Sequence, residues 1–76
     1  MLYYRDSEMR FQETFSENVK KYMRYERLNQ RELARKAGIS ETTLSRILNC
    51  LITPGIKSIV NLSLALNVKV DRLLYL

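Results

Sequence analysis

Histidine and tryptophan are absent from this 76-residue chain, and Cys50 is its only cysteine. A single thiol forms no intrachain disulfide, and without histidine beside it no four-ligand zinc site can be assembled. One proline and two glycines are too few for a linker, and no repeat or low-complexity tract is present. No window approaches the ~18 consecutive apolar residues of a membrane-spanning helix. The opening "MLYYRDSEMR" carries charges where a signal peptide needs an apolar run. A soluble, intracellular protein is expected, with no metal, no cofactor and no membrane contact. There is no carboxylate pair near a nucleophile and no glycine-rich phosphate loop, so neither an enzyme nor a small-molecule site is expected.

Hydrophobic residues make up 46% of the chain, enough for one small core built from packed side chains alone. The apolar spacing is helical throughout. Phe15, Val19, Tyr22 and Met23 fall on one stripe and predict a helix over 15–26, which Phe11 extends upstream towards Ser7. A second helix is expected over 30–37, with Asn29 as its N-cap and Leu33, Ala34 and Ala37 inward. Gly38 stands where a left-handed residue ends a helix. A third follows over 41–49, capped by Ser40, with Leu44, Ile47 and Leu48 on its buried face. After the turn signal "TPG", a fourth runs over 56–66 with Ile59, Leu62 and Leu66 inward, and Asn67 suits its left-handed end. A short fifth covers 70–75, with Asp71 in its first turn favoured by the helix dipole. The chain thus divides into an N-terminal extension or arm, 1–14, and one all-α domain, 15–76.

Charge is unevenly placed within a net +5. Residues 18–36 hold seven cations (Lys20, Lys21, Arg24, Arg27, Arg31, Arg35 and Lys36) against Glu26 and Glu32, whereas residues 1–17 are net acidic. A polyanion fits the middle segment.

About three residues around Gly38 join the second and third helices. So short a link cannot lay them antiparallel and forces a steep crossing, the geometry of a helix-turn-helix. The outer face of the third helix carries Thr42, Ser45, Arg46 and Asn49. It lacks the long Glu/Lys pairs of an ordinary solvated face. Short hydroxyls allow close approach, and a guanidinium makes two parallel bonds to guanine, so the face suits base edges in the major groove of DNA. Glu41 at the helix start can accept from a cytosine amino group, or serve only the helix dipole.

The stretches "FSENVKKYMRYERLNQRELARKAGISETTLSRILN" and "TPGIKSIVNLSLALNVKVDRLLYL" resemble the phage-repressor (Xre-type, lambda-repressor-like) helix-turn-helix family. The resemblance rests jointly on Asn29-Gln30, Leu33-Ala34, Ala37-Gly38, Ser40, Leu44, Ile47, Asn49, Pro54, Ile59, Leu62 and Ala65-Leu66, and spans residues 15–76. It implies a compact five-helix bundle and sequence-specific binding of double-stranded DNA as a homodimeric, bacterial or phage-encoded cytoplasmic regulator. Glu41, Thr42, Ser45 and Arg46 would occupy the base-reading positions. Gln30, Thr43 and Asn49 would meet phosphates, joined by Arg27 and Arg31 beside the second helix.

Four departures stand out against that family. A buried Arg on the first helix is often paired with a Glu on the third; here the positions hold Met23 and Leu48, a swap that leaves no charge unpaired. A glycine usually follows Asn49; Cys50 there predicts an altered exit from the third helix. Leu51 and Ile52 replace cations in the next loop, and Lys69 stands where a capping serine is common. Leu51, Ile52, Val60, Leu64 and the terminal Leu76 form a candidate dimer interface, unless residues 1–14 fold back over that surface. The tyrosines Tyr3, Tyr4, Tyr22 and Tyr25 read as packing residues, and Cys50 as a small half-buried hydrophobe. The same apolar surface also supports a second reading, an antitoxin- or antirepressor-like module that grips another protein.

Overall fold

The computed structural model describes residues 2–75, with side chains from residue 10 onward. Five helices follow in chain order: α1 (Leu2–Glu26), α2 (Gln30–Ala37), α3 (Glu41–Leu48), α4 (Ile56–Leu66) and α5 (Asp71–Leu74). No strand occurs among the described residues, and none of their helices is long and apolar enough to cross a membrane.

Phe15, Val19 and Met23 from α1 meet Leu33, Ala34 and Ala37 from α2, and Leu44, Ile47 and Leu48 from α3. Leu62, Ala65 and Leu66 from α4 and Leu73 from α5 complete one core. Phe11, Tyr22, Ile39 and Ile59 pack half-buried against it. Met23 and Leu48 are both buried, so two apolar side chains fill a place where an ion pair would have to be desolvated. Tyr25 is exposed, contrary to its reading as a packing residue, because it lies off the stripe that Phe15, Val19 and Met23 define.

Helix α1 begins thirteen residues before the expected 15–26 span, at Leu2. Phe11 and Phe15 stack at 5.8 Å one turn apart, and no proline or glycine interrupts the segment. Adding residues to a formed helix is far less costly than nucleating one. At ~1.5 Å per residue, the 25-residue helix spans nearly the whole 38 Å length of the molecule. Residues 2–14 are therefore continuous with α1, and Ile56, Val60 and Leu64 on α4 are exposed. Helix α5 is shorter than expected, Asp71–Leu74: Val70 precedes it without a side-chain cap, and the backbone is extended at Tyr75.

The first four helices end alike. Arg27, Gly38, Cys50 and Asn67 are left-handed, with φ of 56°, 69°, 59° and 59°. In each case the following residue donates its N–H to the carbonyl five residues back: Leu28 to Met23, Ile39 to Ala34, Leu51 to Arg46 and Val68 to Ser63. This is the paired closure that satisfies the last carbonyls of a helix. The exit of α3 is thus unaltered by the missing glycine, a correction to the sequence-based expectation. Cys50 adopts the left-handed backbone although it is not glycine, as Arg27 does, and its side chain and carbonyl also meet α1. Its Sγ lies 3.4 Å from Ser16 Oγ. With its amide oxygen on the Thr53 hydroxyl at 2.7 Å, Gln12 donates its nitrogen to the Cys50 carbonyl at 3.2 Å.

Candidate nucleic-acid interface

Asn29 fixes the start of α2 with a reciprocal cap: its side chain accepts from Glu32 N at 2.8 Å, and its own N–H donates to Glu32 Oε1 at 2.9 Å. The N–H groups of Gln30 and Arg31 are then the open donors of the first turn. Gly38 closes α2 with its N–H on Arg35 O and a left-handed backbone. A Cβ at Gly38 would meet nothing within 4 Å, so conformation rather than space selects glycine here. Two residues later, Ser40 Oγ accepts from Thr43 N at 2.9 Å and starts α3.

This corner sets α3 across the bundle with Leu44, Ile47 and Leu48 buried beneath it. On the other side Glu41, Thr42 and Arg46 are exposed, and Ser45 is half-buried. These four and Gln30 line one shallow cleft, so the structure brings together every residue expected to read bases. Thr43 is half-buried beside Ser40, whose Oγ donates to Thr43 Oγ1 at 2.8 Å. Asn49 is exposed, yet its amide turns back onto its own helix, donating to the Ser45 carbonyl at 2.8 Å. Arg27 and Arg31 are exposed at the α1–α2 corner.

A second cleft adjoins the first and shares Gln30 with it. Lys20, Met23, Arg24, Leu28 and Leu48 form the rest of its walls. Lys20 and Arg24 are exposed and one turn apart, so the basic surface reaches from α1 towards the outer face of α3. The four-residue spacing of Lys20 and Arg24, one residue out of step with buried Val19 and Met23, is the signal in the sequence for this extension; Arg24 is not in the expected phosphate set.

The apolar surface lies on α4 and the loop before it. Leu51 is 72% exposed, Ile52 37%, Ile56 81%, Val60 41% and Leu64 72%. Ile56, Val60 and Leu64 are four apart and form one outer stripe. Ile56 was missed at the sequence level because it is the first residue of its helix, where periodicity has only one direction to run. Leu76 lies outside the described residues, as does any packing of Tyr3 and Tyr4.

A corner of two short helices, a buried inner face and an open polar outer face define a helix-turn-helix protein of the DNA-binding, regulatory class. The helix-turn-helix family model matches residues 19–73, and the chain belongs to that family. The match begins within α1 and ends within α5, so it covers both helices of the corner and the core beneath them. The resemblance to phage-repressor proteins drawn from the sequence is in accord with it. The family is one of DNA-binding regulators rather than of enzymes. No curated protein and no solved structure matches the chain.

Proposed function

We propose that the protein is a sequence-specific transcriptional regulator that inserts α3 into the major groove of double-stranded DNA as a homodimer. The observation that carries this reading is the single cleft in which Gln30, Glu41, Thr42, Ser45 and Arg46 meet, above a face of α3 that is wholly apolar and buried. Thr42, Ser45, Arg46 and Glu41 read base edges. Arg27, Gln30, Arg31 and Thr43 hold phosphates, and the open amides at the start of α2 support them. Lys20 and Arg24 extend the phosphate contacts along α1, compensating for the apolar Leu51 and Ile52.

The dimer forms through Leu51, Ile52, Ile56, Val60 and Leu64, and continues to the terminal Leu76. A stripe centred on Val60 is self-complementary when two copies of α4 cross antiparallel about a two-fold axis. Such a dimer sets two recognition helices about 34 Å apart, one turn of DNA. This reading places the protein in the cytoplasm of a bacterium, encoded by the host or by a phage.

Selection of bound sites from a random duplex pool tests it: a two-fold symmetric site with half-sites about one helical turn apart is expected. The exposed stripe favours a second reading, a module whose partner is another protein. Affinity for random duplex that is indifferent to salt would favour that module; steep salt dependence supports DNA.

A further inference from the structure

Two hydroxyls on α3 already accept a hydrogen bond from within the protein. Thr43 Oγ1 accepts from Ser40 Oγ at 2.8 Å. Ser45 Oγ accepts from Asn49 Nδ2 at 3.4 Å, and the same nitrogen donates to the Ser45 carbonyl at 2.8 Å. A hydroxyl has one proton and two acceptor sites. A donor arriving on one lone pair turns the proton away from it and polarises the O–H bond.

The buried serines differ. Ser16 Oγ donates to Glu13 O at 3.1 Å, and Ser63 Oγ donates to Val60 O at 2.7 Å. Each uses its proton on a carbonyl one turn back, as serines in helices commonly do. Ser45 makes no such bond among the described residues, so its proton remains available in the cleft it shares with Arg46.

We infer that Ser45 reads its base pair as a hydrogen-bond donor, and that Asn49 is the positioning residue that presets it so. The base opposite Ser45 is one that bears no amino group in the major groove, a guanine or a thymine. Guanine (N7 and O6) and thymine (O4) present only acceptors on their major-groove edges; adenine adds an amino group, which would set donor against donor, and cytosine offers an amino donor alone. Arg46, the next residue, is also purely a donor, so the two form a short donor row. Asn49 then acts within the protein: its amide nitrogen is engaged on Ser45, and its remaining Oδ1 is an acceptor, which a phosphate repels. This inference rests on reading α3 as the recognition helix.

The test compares site selection by the full chain with that of Ser45→Ala, Asn49→Ala and Asn49→Asp, each first checked for folding by thermal melting. Ser45→Ala identifies the base pair that Ser45 reads, because preference is lost there. The expected result is a guanine or a thymine facing Ser45 at that pair in the wild-type site, preferred about tenfold over adenine and cytosine. Asn49→Ala reduces the preference at that pair and leaves the others. Asn49→Asp keeps the side-chain shape, accepts from the Ser45 hydroxyl and turns its lone pairs outward, moving the preference towards an amino-bearing base. A cytosine or adenine facing Ser45 in the wild-type site overturns the inference. So does a Ser45 preference that both Asn49 variants leave intact, or a Ser45→Ala protein whose selected site is unchanged; in these cases the DNA-binding reading still stands. A wild-type chain that selects no sequence at all removes both.

Discussion

Leu51 donates its backbone N–H to the Arg46 carbonyl at 2.9 Å, and that bond closes α3 around a left-handed Cys50. A side chain in this conformation costs ~1–2 kcal/mol, while glycine loses ~0.5–1 kcal/mol of backbone freedom on folding. Cys50→Gly is therefore expected to raise stability by roughly 0.5–1 kcal/mol. Cys50→Val is expected to lower it, because a branched Cβ is least tolerated at positive φ. Urea denaturation of the two variants gives the two signs.

Asn18 ties the ends of the domain together. Its Nδ2 donates to Leu73 O at 3.0 Å and to Tyr75 O at 2.8 Å, across more than fifty residues of chain. Asn18→Leu leaves those carbonyls without their donor at a buried site, so a loss of about 1–3 kcal/mol is expected. Hydrogen exchange of the α5 amides is expected to quicken more than that of α2 or α3.

Arg46 and the α1 cations separate into different kinds of contact. Arg46→Ala is expected to relax preference at one base pair, costing ~1–3 kcal/mol there. Lys20→Gln and Arg24→Gln are expected to weaken all sequences alike and to flatten the log K against log salt slope by about 1 each. Fluorescence anisotropy on specific and random duplexes over a salt series distinguishes the two patterns.

The α4 stripe is outside the core, so a charge on it tests association without disturbing folding. Leu64→Glu is expected to leave the melting temperature of the monomer within a few degrees and to shift sedimentation from dimer to monomer. A wild-type chain that sediments as a monomer at high micromolar concentration removes the dimer.

Much of this architecture is written locally. The cap at Asn29, the turn at Gly38, the cap at Ser40 and the end at Asn67 each depend on bonds within about five residues, and each stands where the sequence puts it. The outward face of Glu41, Thr42, Ser45 and Arg46 was equally legible, because a helix with Leu44, Ile47 and Leu48 inward has only one other side. What depends on distant partners was not. Cys50 takes the left-handed backbone without being glycine, and its contacts with Ser16 and Gln12, over thirty residues away, carry no local mark. Asn18 on α1 carries no mark of its bonds to α5. The start of α1 at Leu2 escaped because nothing in a continuing helix announces its end. Arg24 comes beside Gln30 and Leu48 only once the chain turns at Leu28.

Groove placement of α3 is decided by methylation interference on the selected duplex. Guanine N7 lies in the major groove and adenine N3 in the minor groove, and one alkylating reagent marks both. With α3 seated among major-groove edges, methyl groups on guanine N7 within each half-site should abolish binding, while those on adenine N3 leave it unchanged. Binding that ignores N7 methylation, or is blocked only from the minor groove, would contradict a recognition role for Thr42, Ser45 and Arg46.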